Sequence, residues 1–133
     1  MMRGLARRLI GVWLMADGVL TGMWFSGLAD SLGGRDAVSV TMMVARVMVA
    51  ALSMVAGWLV TQRRPQATPL GVAALALIAA LGLFSAWTGV LPSNLDPSFR
   101  GPAALLQAVI AAVAILFLRF DAQETRPDGT TRA

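Results

Sequence analysis

The sequence predicts an all-α integral membrane protein, a four-helix transmembrane bundle with antiparallel neighbouring helices. Three observations predict this class. Hydrophobic residues make up 57% of the 133 residues and charged residues only 14%, whereas about a quarter of the residues are charged in ordinary soluble domains. Four apolar stretches approach or exceed the length of about twenty residues that a spanning helix needs. These stretches are rich in alanine and leucine and lack the period-two alternation of β-strands.

The predicted spans lie in one domain of residues 1–120 and cover residues 9–28, 38–60, 70–91 and 102–118. Polar, glycine- or proline-containing turns separate them, because proline cannot continue a helix and glycine favours turns. The fourth span is the shortest and is close to the lower limit for crossing a bilayer. Pro102 suits its first helical turn. Residues 121–133 are polar, and we expect them to form a disordered cytoplasmic tail.

The arginines predict the orientation of the chain in the membrane. Three lie in the N-terminal segment, two in the second loop and three after the fourth span, whereas the first and third loops contain one each. Since positively charged loops stay in the cytoplasm, both the N- and C-termini are predicted to be cytoplasmic. The expected location is therefore a bacterial cytoplasmic (inner) membrane, with the chain crossing it four times.

A cleaved signal peptide is an alternative interpretation of the first span. Arg3, Arg7 and Arg8 precede an apolar run, and residues 27–29, with the small residues Gly27 and Ala29, could form a cleavage site. However, the apolar run is about twenty residues long and Asp17 interrupts it, whereas signal peptides use about seven to fifteen apolar residues. A spanning helix is the favoured interpretation.

The composition argues against most catalytic and cofactor chemistry. The chain has no cysteine and no histidine, which are the usual ligands of zinc, haem iron and iron–sulfur clusters. Methionine thioethers can bind Cu(I), but methionines within a spanning helix usually serve packing. Arginines at the ends of apolar runs favour contact with a lipid bilayer over contact with nucleic acid. We therefore predict no metal, no cofactor, no nucleic acid and no enzymatic activity.

An intramembrane ion pair between Asp17 and Arg46 is the best candidate site. Either charge near the bilayer centre costs about 2.5–3.5 kcal/mol on insertion scales, and such residues usually face the bundle interior and pair. When depth is counted from the loop between the first two spans, the depths of Asp17 and Arg46 differ by only about 5 Å. The pair could fix the packing of the bundle, take part in a proton, ion or ligand site, or meet a charge on a partner subunit.

Small residues predict a helix-packing seam beside this pair. In the first span Gly18 and Gly22 form a GxxxG motif that Ser26 extends, and such motifs let two backbones approach closely. On the second span Ser53 and Gly57 share the face of Arg46. Two further polar residues, Thr21 and Gln107, are expected to make polar contacts between helices.

Two functions are compatible with these features. The first is a non-enzymatic accessory, assembly or scaffold component that binds a membrane protein partner or forms a homo-oligomer through helix contacts. The second is a small oligomeric transporter or channel with a site near Asp17 and Arg46. In outline the chain resembles the small multidrug resistance family, which has four spans and a first-helix carboxylate, here Asp17. That family's carboxylate is a glutamate without a membrane arginine opposite it.

Overall fold

The computed structural model describes residues 2–27, 36–89 and 96–124, and four α-helices account for nearly all of them. The helices are α1 (Met2–Ser26), α2 (Ala37–Thr61), α3 (Ala67–Thr88) and α4 (Pro97–Glu124). Each is long and apolar enough to cross a membrane. The predicted class, a four-helix transmembrane bundle, is confirmed, and the chain is a multi-pass membrane protein by the length and composition of its helices.

Successive helices pack side by side in the order α1, α2, α3, α4, whereas α1 touches α4 only sparsely. The start of α1 and the end of α4 lie at the same end of the bundle, which we call the proximal end; the opposite end is the distal end. The contacts show that neighbouring helices are antiparallel. For example, Gly71 near the start of α3 packs against Leu118 near the end of α4, and Gly82 lies against Gln107.

The tightest helix contact is a glycine seam between α1 and α2. A Cβ atom built on Gly57 would lie 2.5 Å from the carbonyl oxygen of Gly11, and one built on Gly18 would lie 2.6 Å from the carbonyl oxygen of Ala50. Real Cβ atoms do not approach that closely, so only glycine permits this backbone separation. The fully buried hydroxyl group of Ser53 bonds back to the carbonyl oxygen of Val49 in the same helix.

The seam differs in part from the one predicted from the GxxxG motif. Gly18, Ser53 and Gly57 are buried, but a Cβ on Gly22 would meet nothing within 4 Å. Ser26 is exposed, and its hydroxyl group donates to the carbonyl oxygen of Met23. In place of Gly22 and Ser26, the residue of α1 that makes the close contact with α2 is Gly11, seven residues before Gly18. Helices α1 and α2 cross so that residues of α1 spaced seven apart stay in contact with α2. The distal end of α1 lies outside the seam.

The main hydrophobic core lies in the middle and the proximal half of the bundle, and all four helices contribute to it. Its largest fully buried apolar side chains are Leu14, Val60, Leu75, Ile78 and Leu118. A small second cluster of Phe25 and Met43 lies toward the distal end. Many large apolar side chains are exposed, most of them on α1, α2 and α4. In a bilayer such side chains face hydrocarbon, so their exposure is the expected surface of a spanning bundle.

Helix α4 is the longest helix, with 28 residues, although it was predicted to be the shortest span. It begins at Pro97, because the Asp96 carboxylate accepts hydrogen bonds from the backbone N–H and the hydroxyl group of Ser98 and proline suits the first helical position. Pro102 therefore lies inside the helix and not in its first turn. At the other end the helix continues to Glu124, so the tail predicted from residue 121 begins later; residues 125–133 lie outside the described part.

Asp36 caps the N-terminus of α2. The hydroxyl group of Ser39 donates to one carboxylate oxygen at 2.6 Å, and its backbone N–H donates to the other at 3.2 Å. These two bonds hold the pKa of the Asp36 carboxyl below its usual range, because they favour the charged form.

We expect the N-terminus of α2 to lose this stabilisation in acid. A carboxyl whose pKa is lower in the folded than in the unfolded state stabilises the fold above the unfolded value of about 3.9, and the contribution disappears as the pH falls through the folded pKa. The Ser39 amide protection factor, measured by NMR hydrogen exchange, should therefore decrease below about pH 4. In an Asp36→Asn control the cap persists without a titrating charge. A decrease of the same size in that variant would contradict the assignment.

Candidate functional site

The structure brings Asp17 and Arg46 together, each nine residues from the distal end of its helix (Ser26 in α1, Ala37 in α2). A carboxylate oxygen of Asp17 lies 3.8 Å from Nη2 of Arg46. The two side chains are 16% and 14% exposed. This distance permits an ion pair but exceeds the range of a hydrogen bond. The two charges therefore attract one another without completing each other's hydrogen bonds.

Each side chain of the pair keeps one polar atom without a partner. Oδ2 of Asp17 and Nη1 of Arg46 are both buried, and neither has a hydrogen-bond partner. Leaving a buried polar atom unsatisfied costs about 1–3 kcal/mol, and more when the group is charged. Such atoms are uncommon in native folds, and each calls for a specific explanation, such as a bound water or ion, strain or a functional role.

A cavity of about 350 Å³ lies on the distal side of this pair. All four helices line it, and the only lining residue from α2 is Arg46. The lining side chains of the other helices come from the distal halves of α1, α3 and α4: Leu20, Thr21, Trp24, Phe25, Leu81, Gly82, Ser85, Ala86, Arg100, Ala103, Ala104 and Gln107. The volume falls within the range of about 300–1,000 Å³ that is usual for small-molecule sites.

Polar side chains from each of the four helices converge on this cavity. Thr21 and Gln107 were predicted from the sequence to make polar contacts, and both line it, on α1 and α4. Sequence reasoning did not place Arg100 or Ser85 in the site, since Arg100 was expected in the loop before the fourth span. Helix α4 begins five residues before the predicted start of the fourth span at residue 102, which carries Arg100 into the bundle, and no pattern of hydropathy indicates that extension.

The cavity is closed on its proximal side by the hydrophobic core. On α1 the fully buried Leu14 lies six residues below Leu20, and on α3 the fully buried Ile78 lies three residues below Leu81. On α4 the corresponding residue is Ala111, four residues beyond Gln107. Among the described residues the cavity therefore ends at a packed apolar layer, and it does not form a continuous pore through the bundle.

A second ion pair, absent from the sequence predictions, joins α1 to α4 at the proximal end. Nη1 of Arg7 lies 2.6 Å from a carboxylate oxygen of Asp121, and Nε of Arg7 donates to the carbonyl oxygen of Val60 at 3.2 Å. The two charged side chains are 10% and 14% exposed. An exposed pair, Arg3 and Glu124, lies beside them. Here the charges are hydrogen-bonded, unlike those of Asp17 and Arg46.

A signal for this second pair is present in the sequence. Arg7 precedes Gly11, Leu14 and Gly18 by four, seven and eleven residues, and all four positions are buried on one face of α1. Asp121 likewise follows Leu118 by three residues on the buried face of α4. Helical periodicity places residues at these spacings on one side. In the sequence Arg7 also belongs to the basic N-terminal segment with Arg3 and Arg8, which indicates orientation or a signal peptide as readily as a buried ion pair.

The double-mutant cycle of Asp17 and Arg46 tests whether the first pair is energetically coupled. We expect Asp17→Asn and Arg46→Gln each to lower the free energy of unfolding in mild detergent, because each leaves a buried charge alone. Together they should cost less than the sum, with a coupling energy of about 0.5–3 kcal/mol. Strict additivity would show that the two charges do not stabilise each other.

The chemistry of the cavity is that of binding through charge and hydrogen bonds. Its polar groups are guanidinium, amide and hydroxyl groups, which suit the recognition of a polar ligand. Within residues 2–27, 36–89 and 96–124, no three acidic, cysteine or histidine side chains lie close enough together to hold a metal ion. Comparison of the chain with protein-family models, with curated proteins and with solved structures found no match.

Proposed function

We propose that this chain is a small, non-enzymatic transport protein of the bacterial cytoplasmic membrane, which binds a polar ligand in the distal cavity beside Asp17 and Arg46. The observation that carries the proposal is the cavity itself. Polar groups from all four helices converge on about 350 Å³ of space inside an apolar bundle, next to two buried charged atoms without partners. Intramembrane charges of this kind usually mark a ligand or ion pathway.

The geometry favours binding over a purely structural role. A pair that served only to fix helix packing would be expected to complete its hydrogen bonds, as Arg7 and Asp121 do at 2.6 Å. The glycines of the seam are used within the chain, between α1 and α2, so they give no support to a partner helix. The accessory or scaffold role that the sequence suggested therefore takes second place. All four helices of one chain line the cavity, so we propose that the ligand binds within a single chain.

The proposed orientation places the proximal end in the cytoplasm. Five arginines of the described residues lie at or near that end without belonging to the buried pair, and they are Arg3, Arg8, Arg63, Arg64 and Arg119. Arg100 lies in the distal half. The positive-inside rule then turns the cavity toward the outer side of the membrane.

In this proposal the structure corresponds to a state closed toward the cytoplasm. The packed core lies between the cavity and the proximal end, and the ion pairs Arg7–Asp121 and Arg3–Glu124 hold α1 against α4 there. Because α1 and α4 otherwise make few contacts, separation of these two helices at the proximal end is the simplest route by which the cavity could reach the cytoplasm. Discrete rearrangements of this kind underlie alternating access.

Cysteine labelling tests the proposal directly, because the chain has no native cysteine. A membrane-impermeant maleimide added to intact cells should label Ser85→Cys, in the cavity, and Ser98→Cys, at the exposed distal start of α4. It should not label Val109→Cys, an outward position that is 59% exposed and would face lipid. Arg64→Cys should react only after permeabilisation. Absence of labelling at Ser85→Cys, with Ser98→Cys reactive, would refute a water-accessible cavity.

A further variant separates transport from simple binding. We expect Arg7→Gln with Asp121→Asn, in the Ser85→Cys background, to increase labelling from the cytoplasmic face of inverted vesicles several-fold, because the proximal contact is weakened. The control is Arg3→Gln in the same background, which removes only an exposed ion pair and should change little. If labelling of the double variant is unchanged, the proximal ion pair does not act as a gate, and the chain is a binding protein and not a transporter of this kind.

A further inference from the structure

We infer that the ligand of the distal cavity is an oxyanion, specifically a phosphate group, held by Arg46 and Arg100. This inference deepens the proposed function and rests on it. The charge of the lining favours an anion. Among the described residues that line the cavity are two arginines and no carboxylate. A cation would meet repulsion there, whereas an anion would meet two guanidinium groups in a site surrounded by apolar residues, where charge interactions are strengthened.

Arg46, the lining residue from α2, has incomplete hydrogen bonding. Its side chain is 14% exposed, and Nη1 is buried without a partner. Asp17 lies 3.8 Å from Nη2, so the carboxylate supports the positive charge without taking up the donors of the guanidinium group. Arg46 lines the cavity with hydrogen-bonding capacity that Asp17 does not use, and Asp17 acts as a positioning residue behind it. Guanidinium groups bind phosphate through paired N–H donors in a planar fork.

Arg100 is half-buried at the distal rim of the cavity. The hydrogen bonds from Ser98 are the main cause that lowers the pKa of the nearby Asp96 carboxyl, and the charge of Arg100 adds a smaller contribution. Asp96 is fully exposed and already accepts two bonds from Ser98, so water screens its effect on the interior.

Neutral donors complete the site. Gln107 from α4 and the hydroxyl-bearing Ser85 and Thr21 line the same space. An amide N–H₂ and two hydroxyl groups can donate to the phosphate oxygens that the arginines do not reach. Large apolar residues, Trp24 and Phe25 among them, form another part of the lining. The cavity can therefore accept either a free phosphate or the head group of an anionic phospholipid with its glycerol against the apolar side.

Two binding arms distinguish these sources. In the first, the protein is purified in a maltoside detergent, and the midpoint of thermal unfolding is measured with inorganic phosphate against sodium chloride of equal ionic strength. In the second, it is placed in nanodiscs of phosphatidylcholine with or without phosphatidylglycerol. A phosphate-dependent rise in the first arm identifies a free oxyanion. A rise only with phosphatidylglycerol identifies a lipid head group. No rise in either arm overturns the inference.

Variants locate the binding in the cavity. We expect Arg100→Gln to weaken the stabilising ligand about tenfold, as the loss of one charge-assisted bond implies, and Gln107→Leu to weaken it less. Arg119→Gln, an exposed arginine at the other end of the same helix, is the matched control and should bind like the native chain. Arg46→Gln alone could unfold the protein, because it leaves the charge of Asp17 buried without its partner. The neutral double variant Asp17→Asn with Arg46→Gln is therefore measured instead. Equal affinity in all variants would contradict the assignment.

The labelling assay keeps the two proposals separate. If Ser85→Cys reacts with the maleimide and phosphate or phosphatidylglycerol slows that reaction, both proposals are supported. If it reacts at the same rate with and without either compound, the cavity is accessible and the oxyanion inference is wrong. If it does not react at all, the cavity does not admit water, and the proposed function itself fails.

Discussion

Replacing Arg7 by glutamine is expected to lower the free energy of unfolding by about 3–5 kcal/mol, which is the cost of breaking a buried ion pair by removing one partner. Arg7 bonds both to Asp121 and to the carbonyl oxygen of Val60, so the substitution removes the guanidinium donor from a mostly buried carboxylate and from a carbonyl oxygen. The measurement is reversible unfolding in mixed detergent micelles, followed by tryptophan fluorescence.

Arg3→Gln is the matched control for this prediction. Arg3 pairs with Glu124 between the same two helices, but the side chains are 66% and 58% exposed, and exposed pairs contribute less than about 1 kcal/mol. The neutral double variant Arg7→Leu with Asp121→Leu should recover most of the loss, because hydrophobic replacement of a whole buried pair is often tolerated. If Arg7→Gln were no more destabilising than Arg3→Gln, the pair would be solvated and could not hold α1 against α4.

Gly57→Ala is expected to lower the free energy of unfolding by about 1–3 kcal/mol, the usual cost of forcing extra atoms into a packed contact. The new methyl group would lie 2.5 Å from the carbonyl oxygen of Gly11 and 2.9 Å from the backbone nitrogen of Met15. Backbone atoms cannot move aside as a flexible side chain can, so α1 and α2 must separate along the seam. The same unfolding measurement reports the change.

Gly22→Ala provides the opposite expectation in the same pair of helices. A Cβ there meets nothing within 4 Å, and alanine is preferred over glycine inside a helix by about 1 kcal/mol. The variant should therefore be as stable as the native protein or more stable. If both substitutions were neutral, the seam would not be the tight contact that the distances describe.

The architecture was predictable because the bilayer imposes it. Any stretch of about twenty apolar residues must satisfy its backbone hydrogen bonds within itself, and a helix is the simplest solution. The same physics made Asp17 and Arg46 conspicuous, since two charges in such stretches must pair or face a polar space. The boundaries of α4 were less predictable, because the cap formed by Asp96 adds a turn that hydropathy does not detect.

The site was only partly predictable because it depends on how helices cross. A GxxxG motif indicates that two helix backbones can approach closely. Here the close contact is made by Gly11 and Gly18, which are seven residues apart. Which glycines make the contact depends on the angle at which the two helices cross. The buried position of Arg7 follows because it lies on the same buried face of α1 as Gly11 and Gly18. Arg100 enters the cavity only after the helix that carries it has been extended, which requires the three-dimensional structure.

The matched positions of Asp17 and Arg46, nine residues from the ends of adjacent helices, have a consequence for biogenesis. Each helix alone carries a charge that costs about 2.5–3.5 kcal/mol to place in hydrocarbon. A hairpin of α1 and α2 that enters the bilayer as one unit brings the two opposite charges to the same depth together and offsets part of that cost. The insertion of the first helix is thereby linked to the synthesis of the second.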